Sequence, residues 1–255
     1  MSTAPAATTD QQGHVRNLYV IYYGWLIASP DGQPNQEAIA IAGARPDALI
    51  ACFYTFEPKY YNLSPQVRDL LHAAGTRIFA YVDTSYGMRP LEQVEAESLE
   101  YLANDVDGIF FDQVYNFLDD THLAYYQRLY ALVHARTKTV IVNPGIAQPG
   151  ESIMSITDIL MVEHAWRGLL QTNPWFRKYR PERFMGNSSN EPDPEQHFDY
   201  VVGPDTAVPD TLEAWANGLG WHFSTDRYIL LPEWFSAYAR NVRAGIILNA
   251  GKRLE

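Results

Sequence analysis

Eight short apolar runs recur through most of the chain, and they limit its possible folds more than any other feature. They are Leu18 to Tyr23, Ala48 to Tyr54, Arg77 to Val82, Gly108 to Asp112, Thr139 to Asn143, Ile159 to Glu163, Arg183 to Gly186 and Trp221 to Ser224. Runs of four to eight residues rich in β-branched and aromatic types are strand signals. Strands that read as nearly continuous apolar runs, without alternation, are buried on both faces, as in parallel sheets covered by helices.

Between the runs, Pro65 to Ala74, Leu91 to Asn104, Leu123 to Arg136 and Pro232 to Val242 carry apolar residues at three- and four-residue spacing and read as helices. Ser64 followed by Pro65 supplies a cap and then proline at the first helical position. Eight strands alternating with helices satisfy a closed barrel, whereas an open doubly wound sheet uses about five or six. No Gly-x-Gly-x-x-Gly follows any run. The expected fold is therefore α/β, a single (β/α)8 barrel over residues 17–252, and 255 residues suit it. Residues 1–16 read as a disordered tail, rich in Ala, Thr and Gln at its start with no signal-peptide pattern, and Leu254-Glu255 reads as a vector scar. The Pro-, Asp- and Asn-rich stretch Asn187 to Gly218 reads as an irregular loop over the barrel mouth, with a short helix near Thr211 to Asn217.

Composition narrows the function classes. Hydrophobic residues at 47% and charged residues at 19% exclude a disordered chain, and no run reaches the roughly 18 apolar residues of a membrane span. A formal net charge of -11, with 19 scattered Lys and Arg, argues against a nucleic-acid partner. One cysteine, Cys52, excludes an intrachain disulfide and a cysteine zinc cage, and its apolar setting predicts a buried, inert thiol. The histidines show no His-Glu-x-x-His pattern, so no metal and no cofactor are expected. The expected state is a monomer.

In a barrel the chemistry sits where strands end, because the strand-to-helix loops converge there. Those ends carry Asp83, Asp112, Asn143, Glu163, Asn187 with Ser188, and Thr225 with Asp226. One polar residue after a strand is common by chance; six strands together point to a site. Asp112 closes the apolar run from Gly108, where desolvation raises a carboxyl toward general-acid duty. Glu163 lies two strands further on, and glycoside hydrolysis needs such a pair. Asn143-Pro144-Gly145 is equally a tight turn and a substrate contact.

Tyr22, Tyr23, Trp25, Tyr54, Tyr81, Tyr86 and Trp166 fall near the expected mouth, where aromatic faces pack on sugar rings as readily as they fill a core. Trp25, Tyr86 and Trp166 lie beyond the strands proper and are the expected sugar platforms. His164 and His222 read as hydrogen-bonded structural histidines.

The stretch Tyr81-Val82-Asp83-Thr84-Ser85-Tyr86-Gly87-Met88-Arg89-Pro90, followed by Gly108-Ile109-Phe110-Phe111-Asp112, closely resembles the spherulin-4-like proteins. That family is similar to the barrel glycosidases of glycoside hydrolase family 135 and its relatives in families 114 and 166. The resemblance extends through Asn143-Pro144-Gly145, Glu163 and Thr225-Asp226. It implies a secreted or surface hydrolase that cuts internal α-linked N-acetylgalactosamine or related amino-sugar bonds, as in galactosaminogalactan, with Asp112 and Glu163 matching the essential carboxylates. Gln113 stands where spherulin-like barrels commonly place Glu.

The leading expectation is thus a glycosidase with Asp112 as acid, Glu163 as base or nucleophile, and Asp83, Tyr81 and Asn143 positioning the sugar. Gln113, Thr225 and Asp226 complete the expected contacts, and the partner is a polysaccharide. A catalytically silent, polysaccharide-binding barrel is the alternative that Gln113 motivates. A different chemistry on the same fold is the third, since fold alone says little.

Overall fold

In the computed structural model, which describes residues 16–52, 63–116, 118–145, 149–167, 173–189, 202–227 and 230–251, the apolar runs become eight parallel strands. They are β1 (Asn17–Tyr22), β2 (Ala48–Ala51), β3 (Arg77–Asp83), β4 (Gly108–Asp112), β5 (Thr139–Val142), β6 (Ile159–Met161), β7 (Phe184–Ser189) and β8 (Trp221–Thr225). Each pairs with the next in chain order, and β8 closes on β1, so no strand edge is left open.

The register sorts the side chains. Tyr81 pairs with Phe110, Asp83 with Asp112, and Ile141 with Ile159, so alternate positions share the inner face around the ring. Inside, the Tyr19 ring sits 6.0 Å from Phe223, and its hydroxyl donates to Gly186 O at 3.0 Å. Large rings fill the interior, so the barrel is a packed core with its open end at the mouth.

Among the described residues six α-helices cover the outside: α1 (Gln36–Ala44), α2 (Pro65–Ala73), α3 (Leu91–Ala103), α4 (Asp120–His134), α5 (Ala207–Ala216) and α6 (Phe235–Gly251). Ser64 caps α2 as expected, its Oγ accepting from Val67 N at 3.1 Å. Asn35 and Asp119 do the same for α1 and α4. After β5 and β6 the described parts of the connections are 3₁₀ turns, Glu151–Ser155, Glu163–Arg167, Pro174–Lys178 and Pro181–Arg183.

At the opposite end of the barrel, Asp47, Asp107 and Asp158 each precede an even-numbered strand. Their Oδ2 atoms accept from Leu18 N, Ile78 N and Val140 N at 2.9, 2.8 and 2.8 Å. Three strand pairs are thereby tied at their starts, which leaves the other rim to function.

Several boundaries moved. β7 runs to Ser189, past its expected end at Gly186, because Asn187, Ser188 and Ser189 pair with Phe223, Ser224 and Thr225. The expected loop from Asn187 therefore begins inside the sheet, and its short helix is the longer α5; residues 190–201 lie outside the described ones. Helix α4 starts earlier than Leu123 because Asp119 caps it, and α1 was not anticipated. β2 ends at Ala51, residues 53–62 lie outside the described ones, and Cys52 is half-buried where a buried thiol was expected. Residues 1–15 also lie outside them, while Arg16 of the expected tail is anchored, donating to Leu219 O at 2.7 Å.

Candidate active site

β4 carries Asp112 to the rim above an apolar floor, and burial pushes its carboxyl above the ordinary carboxylate range. The Tyr81 hydroxyl, the Gln113 backbone and the Asn143 amide oppose that rise by hydrogen bonding the charged form, while the nearby charge of Asp83 adds to it. Tyr81 Oη donates to Asp112 Oδ2 at 2.8 Å, and its ring packs against Phe110 and, edge-on, against Tyr23.

One strand on, Asn143 projects a buried amide between two acids. Its Nδ2 lies 2.8 Å from Asp112 Oδ1 and 2.7 Å from Glu163 Oε1, so the two carboxylate oxygens are no more than about 5.5 Å apart. Asn143 Oδ1 accepts from Gly145 N at 3.0 Å, which fixes the orientation of the amide. The turn-forming Asn-Pro-Gly thus serves the site, and the two protons of its NH₂ group are both engaged by the carboxylates.

Glu163 reaches this position by an unusual backbone. Instead of extending β6 it opens a 3₁₀ turn with φ 44. Ser85 (φ 47), Tyr86 (φ 55) and Gln113 (φ 50) are also left-handed, so four of the seven non-glycine residues with positive φ among those described gather at this rim. Such conformations cost about 1–3 kcal/mol each and persist where the surroundings enforce them. Here Thr84 enforces two of them. Its buried Oγ1 donates to Asp112 O at 3.0 Å or Gln113 O at 2.8 Å, and it also meets Tyr126 Oη at 3.1 Å. Gln113 O also accepts from Tyr86 N at 2.6 Å. Thr84 and Tyr126 had not been singled out; the only signal was Thr84's place inside the quoted stretch. Arg89, from the same stretch, donates to Asp83 O at 2.8 Å and pairs with Glu97.

Asp83 occupies the mouth, but Ser85 N and Oγ occupy its two oxygens at 2.7 and 3.0 Å, so it caps the Ser85–Gly87 turn. Tyr86 is 40% exposed above the acids. Burial, then the charges of Asp112, Glu163 and Asp83, raise its phenol above the ordinary value. Trp25, on the β1–α1 loop, is 52% exposed. Both rings present surface to solvent.

Trp166 does not. It is 1% exposed, its Nε1 donates to Asn187 O at 3.0 Å, Arg167 lies over one face and His222 meets it edge-on. The expected third platform is a core residue, because the 3₁₀ turn after Glu163 folds it against β7. Gly186 makes that possible: a Cβ there would meet Leu219 Cδ1 at 2.5 Å, Trp166 Cδ1 at 3.1 Å and Glu163 O at 3.2 Å.

Thr225 is also spent locally, its Oγ1 accepting from Arg227 N at 3.1 Å. Asp226 Oδ2 accepts from Trp234 Nε1 at 3.0 Å. His222 is buried against Ser188 and Thr211, a structural histidine as expected. The side chain of His164 lies outside those described, as does Tyr54.

The sequence pattern of the spherulation-specific family 4 matches residues 56–228. No curated protein matches the sequence. Among solved structures, Sph3 of Aspergillus clavatus, in complex with GalNAc, superposes with a TM-score of 0.64 at 18% identity, over 90% of this chain and 98% of its own. An endo-beta-N-acetylglucosaminidase from Cordyceps militaris gives 0.60 at 12% identity over 96% and 99%. A chitinase from Chromobacterium violaceum gives 0.59 at 12% identity over 90% and 99%. At such identities the likeness is one of fold. Among the described residues no helix is long and apolar enough to cross a membrane.

Proposed function

The chain belongs to the spherulation-specific family 4, and from that premise we propose that it is a glycoside hydrolase acting on an amino-sugar polysaccharide. The observation that carries the reading is the Asp112–Asn143–Glu163 bridge, two carboxylates on one amide at the barrel mouth. Asp112 is the general acid, since burial favours its protonated form. Asn143 Nδ2 offers only protons, so Oδ1 must remain an acceptor and the acid's proton sits on Oδ2, where the Tyr81 hydroxyl can reverse its role. Glu163 is the nucleophile. Two carboxylate oxygens held on one amide nitrogen bring the acids close together, which favours the shorter spacing of retaining enzymes.

The amino-sugar class is supported by the GalNAc held by Sph3 and by the N-acetylhexosamine substrate in the name of the Cordyceps enzyme. Tyr86 and Trp25 supply exposed rings for sugar units beside the one being cut, which favours internal cleavage of a chain. The α-linked N-acetylgalactosamine polymer is the proposed substrate. The test is incubation with galactosaminogalactan and other amino-sugar polymers, scoring new reducing ends by mass. Asp112→Asn and Glu163→Gln are expected to abolish turnover while remaining folded. Tight binding of polymer by the parent without cleavage would instead support a silent binding barrel.

A further inference from the structure

Asn187 is the inner-face residue of β7 beside Glu163. Met161 pairs with Met185, the Val162 N–H donates to Met185 O at 2.8 Å, and beyond the ladder the Glu163 backbone packs against Gly186, the residue before Asn187. Its direction follows from Ser188, which points outward to His222 and Thr211 of α5. The adjacent residue on a strand faces the other way, into the mouth.

The amide there is unanswered. Asn187 Oδ1 is a buried acceptor with no hydrogen-bond partner. Its surroundings explain why no described side chain supplies one. On the β8 side it faces Phe223, and the Tyr19 hydroxyl below is committed to Gly186 O. Arg167, four residues after Glu163, is turned away over Trp166 toward Asp210, and Arg183, four residues before Asn187, donates to Thr157 O. A buried carbonyl oxygen left without a donor is costly, and this one, beside the proposed catalytic carboxylate, is available to a ligand's donor.

We propose that Asn187 is a specificity-determining residue that accepts a hydrogen bond from the substituent on the sugar carbon next to the reacting one. In an amino sugar that donor is the acetamido N–H. The assignment rests on the hydrolase reading and on Glu163 facing the reacting carbon. Neighbouring strands stand about 4.8 Å apart, so a sugar whose reacting carbon meets Glu163 carries the substituent on the next carbon toward β7. A residue that only binds this group discriminates against a sugar lacking the donor, because its oxygen then stays unpaired.

The test is Asn187→Leu in the full chain, with Asn187→Ala as a second variant, each read for melting temperature, for kcat/KM on the amino-sugar polymer, and for binding of N-acetylgalactosamine. Removing an orphan acceptor is expected to leave the melting temperature equal to or above the parent's, while kcat/KM and N-acetylgalactosamine affinity fall about tenfold. Unchanged affinity and turnover in both variants would overturn the assignment, as would a loss that merely follows a lowered melting temperature. If the parent cleaves no polymer, the hydrolase reading fails, and N-acetylgalactosamine binding alone decides: weakened in the leucine variant it supports the role, unchanged it ends it.

Discussion

Asp112 and Glu163, on strands β4 and at the end of β6, are held by the same nitrogen, Asn143 Nδ2, at 2.8 and 2.7 Å. A single planar amide, itself locked by Gly145 N, therefore sets the distance between the two acids. Removing it leaves two half-buried carboxylates facing each other without a shared donor. Asn143→Ala is expected to lower kcat by about 10²-fold, the scale of a misplacement near 1 Å, with the fold retained by circular dichroism. A variant with parental kcat would show that the amide is incidental.

The same separation predicts the stereochemistry. Proton NMR of the first product released should show the anomeric configuration of the substrate, as expected for closely spaced carboxylates with Glu163 as nucleophile. Initial release of the opposite anomer would place a water between the acids and remove Glu163 as nucleophile.

The buried Asp112 also makes stability depend on pH. Burial raises its folded-state pKa above that of the unfolded chain, so the native state holds this proton more tightly. The stability it contributes is complete below the unfolded value and is lost as pH rises through the folded one. Activity that requires the protonated acid falls over the same rise. Asp112→Asn, which cannot ionise, should melt higher than the parent at neutral pH, and the gap should close in acid. Differential scanning calorimetry across that range checks the sign.

Two tryptophans separate packing from binding. Trp166→Ala removes a buried ring and is expected to cost about 3–5 kcal/mol in chemical denaturation. Trp25→Ala, at an exposed position, should leave stability within experimental error and weaken polymer retention in affinity electrophoresis. Equal destabilisation by both would mean that Trp25 is packed in solution.

Thr84→Val keeps the shape but deletes the hydroxyl that ties Asp112 O, Gln113 O and Tyr126 Oη together. The expected cost is about 1–3 kcal/mol, since Tyr126 Oη loses a buried partner. A concurrent fall in kcat would show that the left-handed turns at Ser85, Tyr86 and Gln113 are held in place from beneath.

What the amino-acid sequence determined by itself was the architecture and the rim. A strand buried on both faces must be apolar throughout, so eight such runs announce a covered parallel sheet, and the first polar residue after each run marks where the mouth begins. That logic located Asp112 and Glu163 and the ends of most strands. It failed where alternation or continuity breaks for reasons that lie elsewhere in the chain. Polar Asn187 and Ser189 stay in β7 because β8 pairs with them, and Trp166 turns inward because Gly186 lets the segment after Glu163 close upon the sheet. Only the tertiary structure decided that Asn143 serves the two acids, that Asp83 is a cap, and that Thr84 braces the strained turns. Apart from the local Asp83 cap on Ser85, these hydrogen bonds join residues 20 to 42 positions apart, and their partners are chosen by barrel closure and strand stagger, which no local pattern encodes.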